Sequence, residues 1–221
     1  MPLERHRTIV VLVALMFGLF FLEDIFGVPA SVHWKTIPVT VHATTVDLLH
    51  GEFSLDAAGH LASVLTAVFL HGDIGHVLFN MVYLWAFASL ASQHLGQWWA
   101  FGLFFVLGIC GNIAHIALNS DSPIGLLGAS GAVSGFEGVY LGLALRWSLR
   151  WPDVWPLAHP IPPAQLCLFA GVGFVIDVFG LVGGSGGVAF AAHIGGFLSG
   201  VAIAWLITLR YRTEESWRRR C

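Results

Sequence analysis

Six apolar segments dominate the sequence, each close to the roughly 20 residues that a helix needs to cross the hydrocarbon core of a bilayer. They are Thr8–Phe26, Gly75–Ser92, Trp98–Leu118, Ser130–Leu145, Ala164–Val182 and Val188–Leu209. Only 10% of the 221 residues are charged, against roughly a quarter in a soluble domain, so the chain cannot cover itself with a polar surface. We therefore predict an all-α polytopic membrane protein, in which residues 1–221 form a single six-helix domain surrounded by lipid.

The basic residues predict how these helices are oriented. With both termini on one side, nine of the ten Lys and Arg fall on that side and only Lys35 lies on the other. The nine are Arg5, Arg7, Arg146, Arg150, Arg210, Arg212, Arg218, Arg219 and Arg220. This asymmetry predicts cytoplasmic tails. We expect a multi-pass protein of a bacterial cytoplasmic membrane. The alternative, a cleaved signal peptide ending near Ala30, would leave five spans.

The loops give no indication of a nucleic-acid partner, a metal or another cofactor. The net charge is −3 and no basic stripe runs along any segment. The long loop over residues 27–70 is rich in histidine, but the spacing is irregular and favours structural histidines over metal ligands. The histidines in or next to this loop are His33, His42, His50, His60 and His71.

Four polar side chains lie at a similar shallow depth in three of the predicted helices. His76 and Asn80 are four residues apart and therefore share one helix face. Ser130 begins the fourth helix, and His193 lies about 8 Å into the sixth at 1.5 Å per residue. Polar groups in a membrane are costly and often functional, so we expect these four to meet.

Their chemistry is that of a hydrolytic site. A serine hydroxyl becomes a useful nucleophile when an imidazole takes its proton, which assigns Ser130 and His193 as nucleophile and general base. His76, Asn80 and the backbone near Gly128 can donate hydrogen bonds to an oxyanion. A second G-x-S-G sequence makes Ser185 an alternative nucleophile.

Pairs of glycines mark the helix faces that carry Ser130 and His193. Gly131 and Gly135 are four residues apart on the fourth helix, and Gly196 and Gly200 are four apart on the sixth. Small residues at this spacing let membrane helices approach closely, as a hydrogen bond between serine and histidine requires.

These motifs together resemble the rhomboid family of intramembrane serine proteases. They are His71-x4-His76-x3-Asn80, Gly128-Ala129-Ser130-Gly131 and Ala192-His193-x2-Gly196-x3-Gly200. The resemblance implies a rhomboid core over about residues 60–209 and substrates that are transmembrane proteins, cut near the outer end of a membrane span. It also implies that the Gly183–Gly187 loop is a mobile cap over the site and that the fifth helix is the entry gate for substrate.

The same resemblance implies a role for each motif residue. Ser130 and His193 would form a dyad without an acid. His76 and Asn80 would help form the oxyanion hole, and His71 would be structural, with hydrogen bonds inside the first outer loop.

The sequence departs from the family pattern at three places. Ala62-Ser63 replace a usual Trp-Arg pair, which concerns the packing of the loop. Ser134 replaces an aromatic residue that often stacks on the base, so His193 must be oriented in another way. Glu137 lies two turns beyond Ser130, and its depth favours a buried protonated carboxyl over a third catalytic residue.

Two other function classes compete with an active protease. A catalytically inactive rhomboid-like binder of membrane proteins would normally lack the serine or the histidine, yet both are present. A proton-coupled transporter could use Glu137 and Asp177, but the sequence has no inverted repeat. We interpret Asp177 as a residue that pairs within the bundle or adjusts the gate, and Asn112 and His115 as interhelical contacts.

Overall fold

The computed structural model describes residues 6–26, 34–147, 149, 161–184 and 187–218, with the side chains of all but 24, 26 and 211–218. The regular secondary structure in these residues is helical, apart from one isolated antiparallel bridge between Thr36 and Leu126; turns and coil connect the helices. The helices are α1 (Arg7–Phe26), α2 (Pro38–Leu49), α3 (Leu55–Thr66), α4 (Ile74–Leu95), α5 (Gln97–Leu118), α6 (Ser130–Ala144), α7 (Pro163–Gly183) and α8 (Phe190–Arg218).

The predicted all-α class is confirmed for the described residues, and a helix stands at each of the six predicted places. By length and composition, four of the helices in these residues could cross a membrane. They are α4, α5, α7 and α8 as far as Arg210. The other two are α1, which has 20 residues, and α6, which has 15.

The shortest of the helices at the six predicted places, α6, lies at the centre of the bundle. From Gly131 to Tyr140 every residue is buried, and most of the first half is glycine, alanine, valine or serine. These small side chains let the neighbouring helices pack against every side of α6. Larger residues fill the core beyond them, with Phe136 and Tyr140 fully buried among α4 and α5 residues such as Phe104.

The long loop before α4 is not irregular, because it contains α2, α3 and a short 3-10 turn at Ala67–Phe69. Its backbone braces the segment that leads into α6. Thr36 and Leu126 exchange two backbone hydrogen bonds of 3.0 and 2.7 Å, and the Gly128 N–H donates to the Ala67 carbonyl at 2.9 Å. The loop therefore fixes the approach of the chain to Ser130.

The opposite end of the bundle is held by the start of α1. His6 Nδ1 lies 2.9 Å from Ser92 Oγ near the end of α4, and Thr8 Oγ1 donates to the Gln97 carbonyl at 3.0 Å. Along α4, Ser92 is about 24 Å from His76 at 1.5 Å per residue. The start of α1 therefore lies at one end of the helices, and the predicted site residues His76, Asn80, Ser130 and His193 lie towards the other end. Six helices with both termini on one side would have this arrangement.

Candidate active site

The turn that precedes α6 brings the His76 ring close to Ser130. Gly128 has φ of 123°, a conformation that residues with a side chain rarely adopt. A Cβ at this position would lie 2.7 Å from His76 Nε2 and 3.8 Å from Ser130 Oγ. Gly128 thus has two reasons to be glycine, its backbone conformation and the imidazole that occupies the space beside it.

The start of α4 positions His76 and Asn80. Asp73 caps the helix, because its carboxylate accepts a 2.8 Å hydrogen bond from the His76 backbone N–H. One turn later Asn80 is 6% exposed, and its Nδ2 donates to the His76 carbonyl at 3.0 Å. Both side chains border the same cavity as Ser130.

The glycine faces of α6 and α8 lie directly against each other. A Cβ at Gly196 would overlap the Gly131 carbonyl, and a Cβ at Gly200 would overlap the Gly135 carbonyl. A Cβ at Gly131 would lie 3.3 Å from the Ala192 carbonyl. Since Gly131 follows Ser130 and Ala192 precedes His193, this contact holds the serine and the histidine at one level.

Ser130 and His193 border one cavity of about 960 Å³. Its lining is rich in groups that can hydrogen-bond to water or to a peptide; besides these two they include His76, Asn80, His115, Asn119, Ser122, Ser134 and Glu137. Among the described residues, Ser130 Oγ has no hydrogen-bond partner in this state. The structure therefore brings the four predicted residues to one cavity, with the serine hydroxyl available.

The sequence-based interpretation missed the partner of His193. Its Nδ1 lies 2.9 Å from Asp177 Oδ1 on α7, and each of the two side chains is 16% exposed. The resemblance implied a dyad without an acid, and the structure differs at this point. Counting residues along α7 could have indicated the contact. The helix ends at Gly183, so Asp177 lies about 9 Å below its outer end, a depth similar to that expected for His193.

A second membrane carboxyl, Glu137 on α6, borders the cavity. It is 8% exposed, and its Oε2 is 3.5 Å from the position of a Cβ on Gly173, one turn before Asp177 on α7. Of these two carboxyl groups, Asp177 is the one within hydrogen-bond distance of His193.

His71 packs against His76, and the loop hydrogen bonds implied for it are not formed with good geometry. The two rings meet edge to face with centroids 5.0 Å apart, and neither buried His71 nitrogen has a hydrogen-bond partner of good geometry among the described residues. Burial, and then the neighbouring His76, lower the pKa of His71 to about 4. The ring is therefore neutral at pH 7 and supports His76 by packing.

Asn112 does form the interhelical contact that the sequence suggested, since its Nδ2 donates to the Val64 carbonyl at 2.7 Å. No three His, Cys, Asp or Glu side chains converge as metal ligands in the described ranges. The alternative nucleophile Ser185, the loop residue His33 and the basic residues Arg5, Arg150, Arg219 and Arg220 lie outside the described residues.

Residues 58–210 match the family model of the Rhomboid domain, which covers more than half of the chain and every residue of the site. The chain belongs to the rhomboid family. Family membership and the four apolar helices make it a multi-pass membrane protein with an intramembrane-protease-like fold.

Three curated rhomboid relatives are similar to this chain. Rhomboid protease GluP of Bacillus subtilis (strain 168) is 32% identical over 132 residues, which is 60% of this chain and 24% of the relative. Rhomboid protein 1, mitochondrial, of Saccharomyces cerevisiae (strain ATCC 204508 / S288c) is 27% identical over 175 residues, covering 71% and 44%. RHOMBOID-like protein 12, mitochondrial, of Arabidopsis thaliana is 28% identical over 164 residues, covering 67% and 46%. The chain thus spans less than half the length of these relatives.

Proposed function

We propose that this chain is an intramembrane serine endopeptidase that cuts membrane-anchored proteins, with Ser130 as nucleophile and His193 as general base. One observation carries the proposal: the hydroxyl and the imidazole border one cavity at the level where α6 and α8 touch through glycines. Catalytic hydrogen bonds are often long before substrate binds, so the absence of a direct bond between the two in this state agrees with this assignment.

The reaction follows from the roles of the two groups. His193 takes the Ser130 proton, and Oγ attacks the carbonyl carbon of the substrate peptide bond. His193 then gives the proton to the leaving amine, and a water molecule releases the acyl group from Ser130 by the same steps. The developing oxyanion is stabilised by His76, Asn80 and the Ser130 backbone N–H at the positive end of α6; one such donor is typically worth about 3 kcal/mol.

The short length of α6 supports hydrolysis below the membrane surface. Its 15 residues extend about 22 Å, less than the roughly 30 Å hydrocarbon core. A helix that begins at Ser130 inside the bundle leaves a depression above the serine. The polar groups in the cavity lining can hold the water that hydrolysis consumes.

We further propose six spans, formed by α1 and α6 together with the four longer apolar helices, and both termini on the cytoplasmic side of a bacterial membrane. The distribution of Lys and Arg supports this orientation. An alkaline phosphatase fusion after residue 209, which is inactive when it stays in the cytoplasm, tests it; an active fusion would reverse the orientation.

The catalytic assignment is tested by labelling with a serine-directed fluorophosphonate in detergent. We expect the wild-type protein to be labelled and Ser130→Ala not to be labelled. Ser134→Ala is the matched control, because Ser134 borders the same cavity one turn deeper. His193→Ala should abolish cleavage of a reporter with one transmembrane segment.

Three results would contradict the assignment. Labelling that persists in Ser130→Ala would indicate that Ser185, and not Ser130, is the nucleophile. A folded wild-type protein that is neither labelled nor able to cleave the reporter would favour the inactive rhomboid-like binder. Unchanged cleavage by His193→Ala would refute the role of the histidine.

A further inference from the structure

The contact between Asp177 and His193 fixes which nitrogen of the imidazole carries the proton. A carboxylate accepts hydrogen bonds and cannot donate them, so His193 Nδ1–H donates to Asp177 Oδ1 over 2.9 Å. The neutral ring then has its lone pair on Nε2. This is the tautomer that a general base needs in order to take a proton from a serine hydroxyl.

Without the contact to His193, a carboxylate at position 177 would be energetically unfavourable in a membrane-spanning helix. Most of α7 faces outward, with large apolar side chains such as Phe179 73% exposed and Ile176 60% exposed. In the described residues, the bond to His193 is the one side-chain hydrogen bond that joins α7 to another helix. A carboxylate in a membrane-spanning helix requires such a partner or a function.

No other group in the described part of the chain orients the His193 ring as strongly. Ser134 stands one turn beyond Ser130, where an aromatic side chain could have stacked on the base. Phe190 meets the ring edge to face at 6.3 Å between centroids, and such a contact does not select a tautomer. Glu137 lies against Gly173 and has no bond to His193.

We propose that Asp177 is a positioning residue that completes a Ser130–His193–Asp177 triad. This rests on the proposed function and deepens it. Asp177 holds the proton on Nδ1 in the resting state. When the Ser130 proton moves to Nε2 and Oγ bonds to the carbonyl carbon, the carboxylate stabilises the imidazolium and stays ionised itself. When Nε2 gives its proton to the leaving amine, the neutral pair is restored.

The test compares Asp177→Asn with two matched controls in steady-state cleavage of the reporter. Phe174→Ala removes the ring stacked on Phe197 at 4.6 Å and so loosens the contact between α7 and α8 without touching the imidazole. Glu137→Gln removes the carboxyl that α6 contributes to the cavity lining. We expect Asp177→Asn to lower kcat by about 10²- to 10⁴-fold with KM within about threefold, as for triad aspartates elsewhere. The controls should stay within about tenfold.

The pH profile of kcat separates positioning from simple anchoring of α7. The titratable groups that border the cavity with His193 are Asp73, His76 and Tyr83 at α4, His115 on α5 and Glu137 on α6. Asp177 on α7 contacts the ring itself. Without the carboxylate the imidazolium is less stable, so the acid limb of Asp177→Asn should move to lower pH. The limb should not move in Phe174→Ala.

A second variant covers the case in which Asp177→Asn does not fold. Asp177→Glu keeps the charge but displaces it by one methylene, so kcat should fall by about tenfold or more while the acid limb stays in place. Unchanged kcat in this variant would overturn the proposal.

Two other results would also overturn it. One is an Asp177→Asn enzyme within threefold of wild type in kcat, while Ser130→Ala and His193→Ala are inactive; the proposed function would then stand without the triad. The other is a Phe174→Ala enzyme that reproduces both the loss and the pH shift. A wild-type protein without activity would overturn both proposals together.

Discussion

Gly196 offers a direct test of the contact on which the site depends. The helices α6 and α8 meet where the Gly196 Cα faces the Gly131 carbonyl, and a Cβ on Gly196 would overlap that oxygen. The obstacle is backbone and cannot rotate away, as the end of a flexible side chain could. Gly196→Ala must therefore push α8 away from α6 at the level of Ser130 and His193.

The magnitude follows from the geometry. Ordinary contacts of a Cβ begin at 3.4 Å, so the two helices must separate by on the order of 1 Å. Overpacking of this kind costs about 1–3 kcal/mol, and a backbone obstacle favours the upper end. At about 2–4 °C per kcal/mol for a chain of this size, 3 kcal/mol lowers the melting temperature by roughly 6–12 °C. A 1 Å displacement of a base from its nucleophile can cost about 10²-fold in rate.

The assay is thermal unfolding in detergent followed by cleavage of the reporter. The matched control is Gly102→Ala on α5, where a Cβ would meet nothing within 4 Å. Alanine should leave its stability unchanged or slightly raised, because alanine favours a helix by about 1 kcal/mol over glycine. If Gly196→Ala melts within 1 °C of wild type, taken here as about the precision of the assay, and retains its turnover, the reasoning about the glycine contact is wrong.

Two more predictions concern the surroundings of Ser130. Gly128→Ala should reduce fluorophosphonate labelling by about 100-fold, because its Cβ would lie 2.7 Å from His76 Nε2. Gly51→Ala shares the positive φ but meets nothing within 4 Å, so it should cost about 1 kcal/mol of stability and leave labelling intact; equal labelling of the two variants would contradict this. The lowered pKa of His71 means that the unfolded chain binds its proton first, so wild-type stability should fall as pH drops from 6.5 to about 4. Melting temperatures across this range should fall less in His71→Gln, and identical slopes would exclude His71 as the cause.

Much of the helical layout could be predicted because hydropathy and helix length act locally. The starts and ends of five predicted spans lie within three residues of the observed helices, and α8 begins two residues later than predicted but continues to Arg218. The small helices α2 and α3 were not predicted individually. Their residues are less apolar than the spans, and tertiary contacts such as the bond from Asn112 to Val64 hold them in place.

The sequence by itself determined which residues could do chemistry and at what depth each would lie. Depth follows from counting residues along a helix of fixed rise, which is why Ser130, His193, His76 and Asn80 were found together. The rotation of one helix about its axis relative to another depends on how the two helix surfaces pack. It cannot be obtained by counting residues along either helix. Only the tertiary structure decided that Asp177 faces His193 while Glu137 faces Gly173.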